Sequence, residues 1–221
     1  MERRDFAGVA LGVAAAIACL VAVGEFVTDD AMITLRYSRN LAAGEGLVWN
    51  PGEDPVEGFS NLSHVLLGAL ALRLGLPALV TLQVVNLIAF LALPAFAYVL
   101  CVGQTGGSRA AGTAAALLVG LHPALAYWAW SGLETASYSL LLAAFIVLTV
   151  LPESRPHTGK VVATYAALLM TRPEALVIMV VVGGVGLGLQ LLRREPDWIS
   201  RNWRWLLSCL ALTLLYFAWP K

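Results

Sequence analysis

The 221-residue chain is 59% hydrophobic and 13% charged, with a mean hydropathy of +0.78. Soluble domains carry about 45–50% apolar and about 25% charged residues, so this composition excludes an ordinary water-soluble fold and points to lipid as the solvent. Fourteen basic residues balance fourteen acidic ones; net charge singles out no partner, and no nucleic-acid partner is expected.

Taken in chain order, the apolar runs are read against the roughly 20 residues that an α-helix needs to cross a bilayer. Residues 6–27 qualify and follow a short charged start; the run is too long for the apolar region of a cleavable leader, so it reads as a retained first span. Residues 28–60 are polar and turn-rich and cannot span. Within them Thr28-Asp29-Asp30 precedes an expected helix over 31–43, stopped by Gly44 and Gly46, with a turn at Asn50-Pro51-Gly52. Residues 61–76 are apolar but short. Residues 79–102 qualify, 104–109 are a Gly-rich break, and 110–130 qualify. A polar interruption at 132–135 leads to a shorter span at 136–151, and 152–160 form a polar loop. Residues 161–171 are apolar but short, and Arg172-Pro173-Glu174 interrupts them. Residues 175–192 qualify, 193–204 are a basic loop, and 205–219 close the chain. Cys19, Cys101 and Cys209 lie inside apolar runs without metal-ligand spacing and read as packing residues. The glycines of the 184–188 stretch follow no strand and read as a helix-packing feature, not a nucleotide loop.

The distribution of basic residues decides which runs cross. If 61–76 stays on the outer face and 161–171 crosses, then Arg3, Arg4, Arg109, Arg155, Lys160, Arg193, Arg194, Arg201 and Arg204 fall inside. Arg36, Arg39, Arg73, Arg172 and Lys221 fall outside. Letting 61–76 cross would leave only Arg3, Arg4, Arg73 and Arg172 inside. The expected fold is therefore an all-α, polytopic transmembrane bundle with about seven crossings and a cytoplasmic N-terminus. It forms a single membrane domain over 1–221, in which 28–78 are an outer-side loop with juxtamembrane helices, the 61–76 segment lying in the interface.

This topology gathers Asp29, Asp30, Glu45, Glu53, Asp54, Glu57, Glu134 and Glu174 on the outer side. Asp29 or Asp30 could cap the helix that follows. One aspartate suffices for a cap, which leaves a carboxylate at the membrane surface to act as a base or to hold a metal ion. Arg36 and Arg39 lie three apart on one helical face and could meet lipid headgroups or a substrate phosphate. Glu57 and Asn61 read as turn and cap residues, and His64 and His122 as packed histidines. Ser131 and Glu134 have the spacing of a capping box. Arg172 and Glu174 follow a helix too short to carry them to the surface. Charges at depth line water-filled cavities or pair with one another, here Arg172 with Glu174 or Glu134.

The segments DDAMITLRYSRNLAAGEGLVWNPGE and DPVEGFSN, with WSGLETASYSLLL and TRPEALVI after them, resemble the outer-side motifs of GT-C superfamily glycosyltransferases. The bacterial group that includes mycobacterial-type arabinofuranosyltransferases is the nearest in flavour. The resemblance covers residues 28–174. It implies an enzyme of the plasma (inner) membrane that transfers a sugar from a polyprenyl-phosphate donor to a glycan or lipid acceptor on the periplasmic or extracellular face. It implies Asp29 or Asp30 as the base, and Arg172, with Arg36 or Arg39 behind it, as the donor-phosphate contact. Glu57, Glu134 and Glu174 complete the expected substrate-binding set, with a divalent metal near the aspartates as a possible cofactor. Family members run to several hundred residues, so the chain is expected to lack a C-terminal part. The competing expectation is a non-catalytic membrane protein: a truncated remnant, a scaffold subunit or a transporter. An inverted repeat would mark a transporter, and none is evident.

Overall fold

The computed structural model describes residues 3–150, 157–193 and 198–219. Among these, all regular structure is helical: α1 (Arg3–Val23), α2 (Asp30–Ala43), α3 (Leu62–Arg73), α4 (Ala78–Gln104), α5 (Arg109–Gly120), α6 (Pro123–Trp130), α7 (Thr135–Val150), α8 (Thr158–Thr171), α9 (Ala175–Arg193) and α10 (Trp198–Ala218). The polar loop expected over 152–160 lies mostly outside the described residues, as does Arg194.

The ends of these helices follow local chemistry. The first apolar run stops at Val23 rather than continuing to residue 27, because Gly24 takes a left-handed φ of 78° that closes the turn. The expected helix after the aspartate pair forms as α2, capped by Asp29 at its start and by left-handed Gly44 at its end. The run expected as one span over 110–130 is two helices bent by 48°. Pro123 lacks an amide proton and starts a new helix, whose first turn is capped by His122 Nδ1 accepting from the Leu125 amide at 3.3 Å. His122 is thus an exposed cap and not a packed histidine. The basic loop expected over 193–204 also resolves differently: α10 begins at Trp198 and carries Arg201 and Arg204 in its first turns.

Two clusters of buried side chains make most of the core. Helices α1, α4, α5 and α6 pack with α7 around Ala16, Leu20, Phe90, Leu93, Ala126 and Ala136. Helices α7 to α10 enclose Phe145, Tyr165, Leu168, Met179 and Trp205. A Cβ at Gly120 would stand 2.2 Å from the Gly12 carbonyl oxygen, so the α1–α5 crossing depends on the absence of side chains there. Of the glycines expected to serve packing, Gly184 and Gly188 face nothing within 4 Å.

The bundle has two chemically distinct ends. At one, Asp5 of α1 accepts hydrogen bonds from Tyr98 of α4 at 2.9 Å and from Arg109 of α5 at 3.0 Å. At the other, α2 and α3 lie against α4, and α3 also lies against α8. There the Thr28 amide donates to the Ser131 carbonyl at 3.3 Å, and Gln83 donates to the Trp130 carbonyl at 2.8 Å.

Helices α1 and α4 are long and apolar enough to cross a membrane, and the bent α5–α6 pair makes a third candidate. Helices α3, α7 and part of α9 are shorter apolar helices. The two or three spans so identified are fewer than the seven expected. For α8 the reason is length: it has 14 residues, about 21 Å at about 1.5 Å per residue, against a hydrocarbon core of about 30 Å.

Candidate functional site

The segment between α2 and α3 folds back onto α2. Tyr37, fully buried, donates its hydroxyl proton to the Val56 carbonyl at 2.5 Å and accepts from the Gly58 amide at 3.0 Å. Its ring meets Phe59 edge-on, with centroids 4.7 Å apart. Asn40 donates to the carbonyls of Val48 at 2.8 Å and Trp49 at 3.1 Å. These contacts carry Gly58, Phe59, Ser60 and Asn61 to the side of α2 that bears Asp30 and Thr34. Leu133 and Glu134 arrive from the α6–α7 turn, and Arg172 from the end of α8. Together these residues line a cleft of about 270 Å³.

At its base lies Glu134, only 2% exposed. One carboxylate oxygen accepts from Arg172 Nε at 2.8 Å and the other from Asn61 Nδ2 at 2.7 Å. Asn61 also donates to Thr34 Oγ1 at 2.9 Å. The cleft floor is thereby tied to α2 through Thr34, to α7 through Glu134 and to α8 through Arg172. A buried carboxylate needs such donors, because an uncompensated charge in a low-dielectric site is costly. The Arg172 side chain is 37% exposed and Glu174 Oε1 stands 3.8 Å from its NH1 group, on an outward-facing carboxylate.

A second set of buried polar groups supports this floor. Asn86 of α4 accepts on Oδ1 from the Ser137 hydroxyl at 2.8 Å and the Ser137 amide at 3.2 Å. Its Nδ2 donates to the Leu82 carbonyl at 2.9 Å and faces His64 Nε2 at 3.3 Å. With Nε2 accepting, the ring proton is assigned to Nδ1, directed at Ser63 Oγ 3.3 Å away. Ser63 in turn bonds Thr171 at 3.0 Å, beside Arg172. Burial lowers the pKa of His64 below the ordinary histidine value, and the Glu134 carboxylate offsets part of that effect.

The structure brings three of the sequence-predicted site residues into one cleft: Asp30, Glu134 and Arg172. Asp29 lies beside it as the α2 cap, its Oδ1 accepting from the Asp30 amide at 3.1 Å. The Asp30 carboxylate has no hydrogen bond or ion pair among the described residues. Glu174 reaches the cleft only through Arg172. Glu57 is exposed, one residue before the lining segment. Arg36 and Arg39 face a different cleft, lined also by Met32, Leu35, Asn40, Trp49 and Pro51.

Two local readings change. Glu134 does not complete a capping box, since Ser131 Oγ instead accepts from the Leu133 amide at 3.0 Å and donates to the Trp128 carbonyl at 2.8 Å. Asn61 makes no side-chain cap and serves Glu134 and Thr34 instead. Sequence reasoning passed over Thr34, Asn86, Ser137 and Thr171. A polar residue at each buried position inside an apolar or amphipathic helix was the available signal. Among the described residues, no three His, Cys, Asp or Glu side chains gather closely enough to hold a metal ion.

Comparison of the chain with protein-family models, with curated proteins and with solved structures gives no match.

Proposed function

We propose that the chain is a GT-C type glycosyltransferase of the membrane, transferring a sugar from a polyprenyl-phosphate donor to an acceptor hydroxyl at the end of the bundle that carries α2 and α3. One observation supports this reading above the others: Asp30, whose carboxylate makes no bond among the described residues, and Arg172, a partly exposed cation, line the same cleft. A volume of about 270 Å³ stands at the lower limit of small-ligand sites, about 300–1,000 Å³, which suits one sugar ring but not a lipid tail.

In this mechanism Asp30 accepts the proton of the acceptor hydroxyl as its oxygen bonds to the anomeric carbon. The bond from that carbon to the phosphate oxygen breaks, and its electron pair leaves with the polyprenyl phosphate. Arg172 faces the phosphate with the N–H groups that Glu134 does not occupy, and Glu134 with Asn61 fixes the direction of the guanidinium. Seven crossings, with this end outside, form part of the proposal. They rest on the basic-residue distribution and on the segregation of the Asp5–Arg109 pair from the cleft.

The test uses membranes bearing the full chain and radiolabelled polyprenyl-phosphate sugars. Asp30→Asn is expected to lower transfer by about 10²–10⁴-fold, the usual contribution of a general base. Asp29→Asn should stay near the wild-type rate, because asparagine caps a helix about as well as aspartate. Equal activity of Asp30→Asn and wild type would remove Asp30 from the mechanism. Absence of transfer above membranes lacking the chain would favour the non-catalytic reading, in which Arg172 and Glu134 are a structural tie.

A further inference from the structure

The second cleft, of about 380 Å³, lies on the α2 face opposite Tyr37 and Ser38. Its chemistry is mixed in a particular way. Met32 is half-exposed, and with Leu35, Trp49 and Pro51 it makes an apolar surface. Arg36 and Arg39 border that surface. The Arg36 guanidinium is stacked 4.1 Å above the Trp49 ring centroid and donates through Nε to the Trp49 carbonyl at 2.9 Å and through its NH2 group to Asn50 Oδ1. Arg39 is exposed and has no hydrogen-bond or ion-pair partner among the described residues. The nearby carboxylate of Glu53 is engaged by Asn50 Nδ2 at 2.7 Å and forms no ion pair with either arginine among the described residues.

The cleft is also held near a membrane surface by its tethers. Six residues separate the end of α1 from the start of α2, and four separate the end of α3 from the start of α4. Both α1 and α4 are candidate spans. Helix α2 therefore cannot stand far from the plane at which they leave the bilayer. An interfacial helix with apolar residues beside uncompensated cations fits an anionic membrane surface.

We propose that this cleft is a binding site for an anionic phospholipid: the phosphate lies between Arg36 and Arg39, and the glycerol and upper acyl region rest on Met32, Leu35 and Trp49. Trp49 pre-positions Arg36, so Arg39 is the group that closes on the headgroup. The site would fix the height and tilt of α2, and with it the height of Asp30 one face away. The proposal stands on the placement of α1 and α4 in the membrane and is independent of sugar transfer.

The experiment measures phospholipid retained by the full chain in neutral detergent, from mixed micelles containing either phosphatidylglycerol or phosphatidylcholine. Wild type is expected to retain phosphatidylglycerol preferentially. Arg39→Gln should weaken that retention about fivefold, the factor for about 1 kcal/mol per basic residue near an anionic surface, and Arg39→Lys should restore most of it. Equal retention of the two lipids by wild type overturns the proposal, as does wild-type retention by Arg39→Gln. Displacement of phosphatidylglycerol by an equal concentration of inorganic phosphate would also overturn it, by showing a site for soluble anions. If Arg39→Gln shifts the unfolding midpoint, the salt dependence of wild-type retention decides. An ionic headgroup contact weakens as salt is added, and retention indifferent to salt counts against the site.

Discussion

His64 is enclosed among α3, α4 and the end of α8, where Asn86 and Ser63 meet its two ring nitrogens. Its packed position was legible in an apolar run; its polar partners, distant in sequence, were not. Burial is the larger effect on its pKa and holds it below about 6.5 in the folded chain. In the window just below that value the unfolded chain binds a proton at His64 that the folded chain does not. Stability therefore rises with pH across this window and falls as pH is lowered through it. The thermal midpoint of the full chain in detergent should drop between about pH 7 and about pH 5, and His64→Gln should flatten that part of the profile. Identical slopes for both proteins would show that other groups set the acid sensitivity. Among the acidic residues, Asp30 and Glu134 illustrate how differently single positions read. An aspartate pair before a helix announces that one carboxylate is spare, and the cap geometry of Asp29 shows which. Nothing in the sequence around Glu134 announces that Asn61, 73 positions earlier, will be its donor.

Element boundaries were legible where a residue acts on its own backbone. Gly44 and Asp29 end and begin α2 as expected from their conformational preferences. The bend between α5 and α6 escaped because hydropathy is blind to it: Pro123 is as apolar as its neighbours but removes a helical donor. Glycine in helices has the same ambiguity, since sequence does not tell whether a backbone approaches. The structure separates the cases. Gly120→Ala places a methyl against the Gly12 carbonyl, where backbone must move, and is expected to cost about 1–3 kcal/mol. Gly184→Ala meets nothing within 4 Å and should be neutral or stabilising by up to about 1 kcal/mol through helix propensity. Unfolding of both variants in graded denaturant checks the contrast; equal effects would mean that the α1–α5 crossing is looser than described.

At the scale of the molecule, the sidedness of the proposed topology has a direct test. Asp54 and Gln104 are both exposed, on the α2–α3 connection and at the far end of α4. In a background with Cys19, Cys101 and Cys209 replaced, Asp54→Cys should react with an impermeant thiol reagent in intact cells. Gln104→Cys should react only after the membrane is opened. The reverse pattern would invert the topology and put the cleft inside; labelling of both in intact cells would place the two ends on one side.

Composition and the lengths of the apolar runs by themselves determined that the chain is helical, apolar beyond the needs of a soluble core, and interrupted by one long polar segment. These are sums over local residue properties, and each residue contributes whatever its neighbours in space. The arrangement of the cleft was decided by tertiary structure alone. The burial of Glu134, its compensation by Arg172 and Asn61, the release of Asp30 and the diversion of Arg36 and Arg39 to a separate face depend on which helices pack together. Those pairings are set by side-chain fit and by the need to satisfy each buried polar atom, conditions that join residues far apart in the chain and leave no local pattern in its sequence.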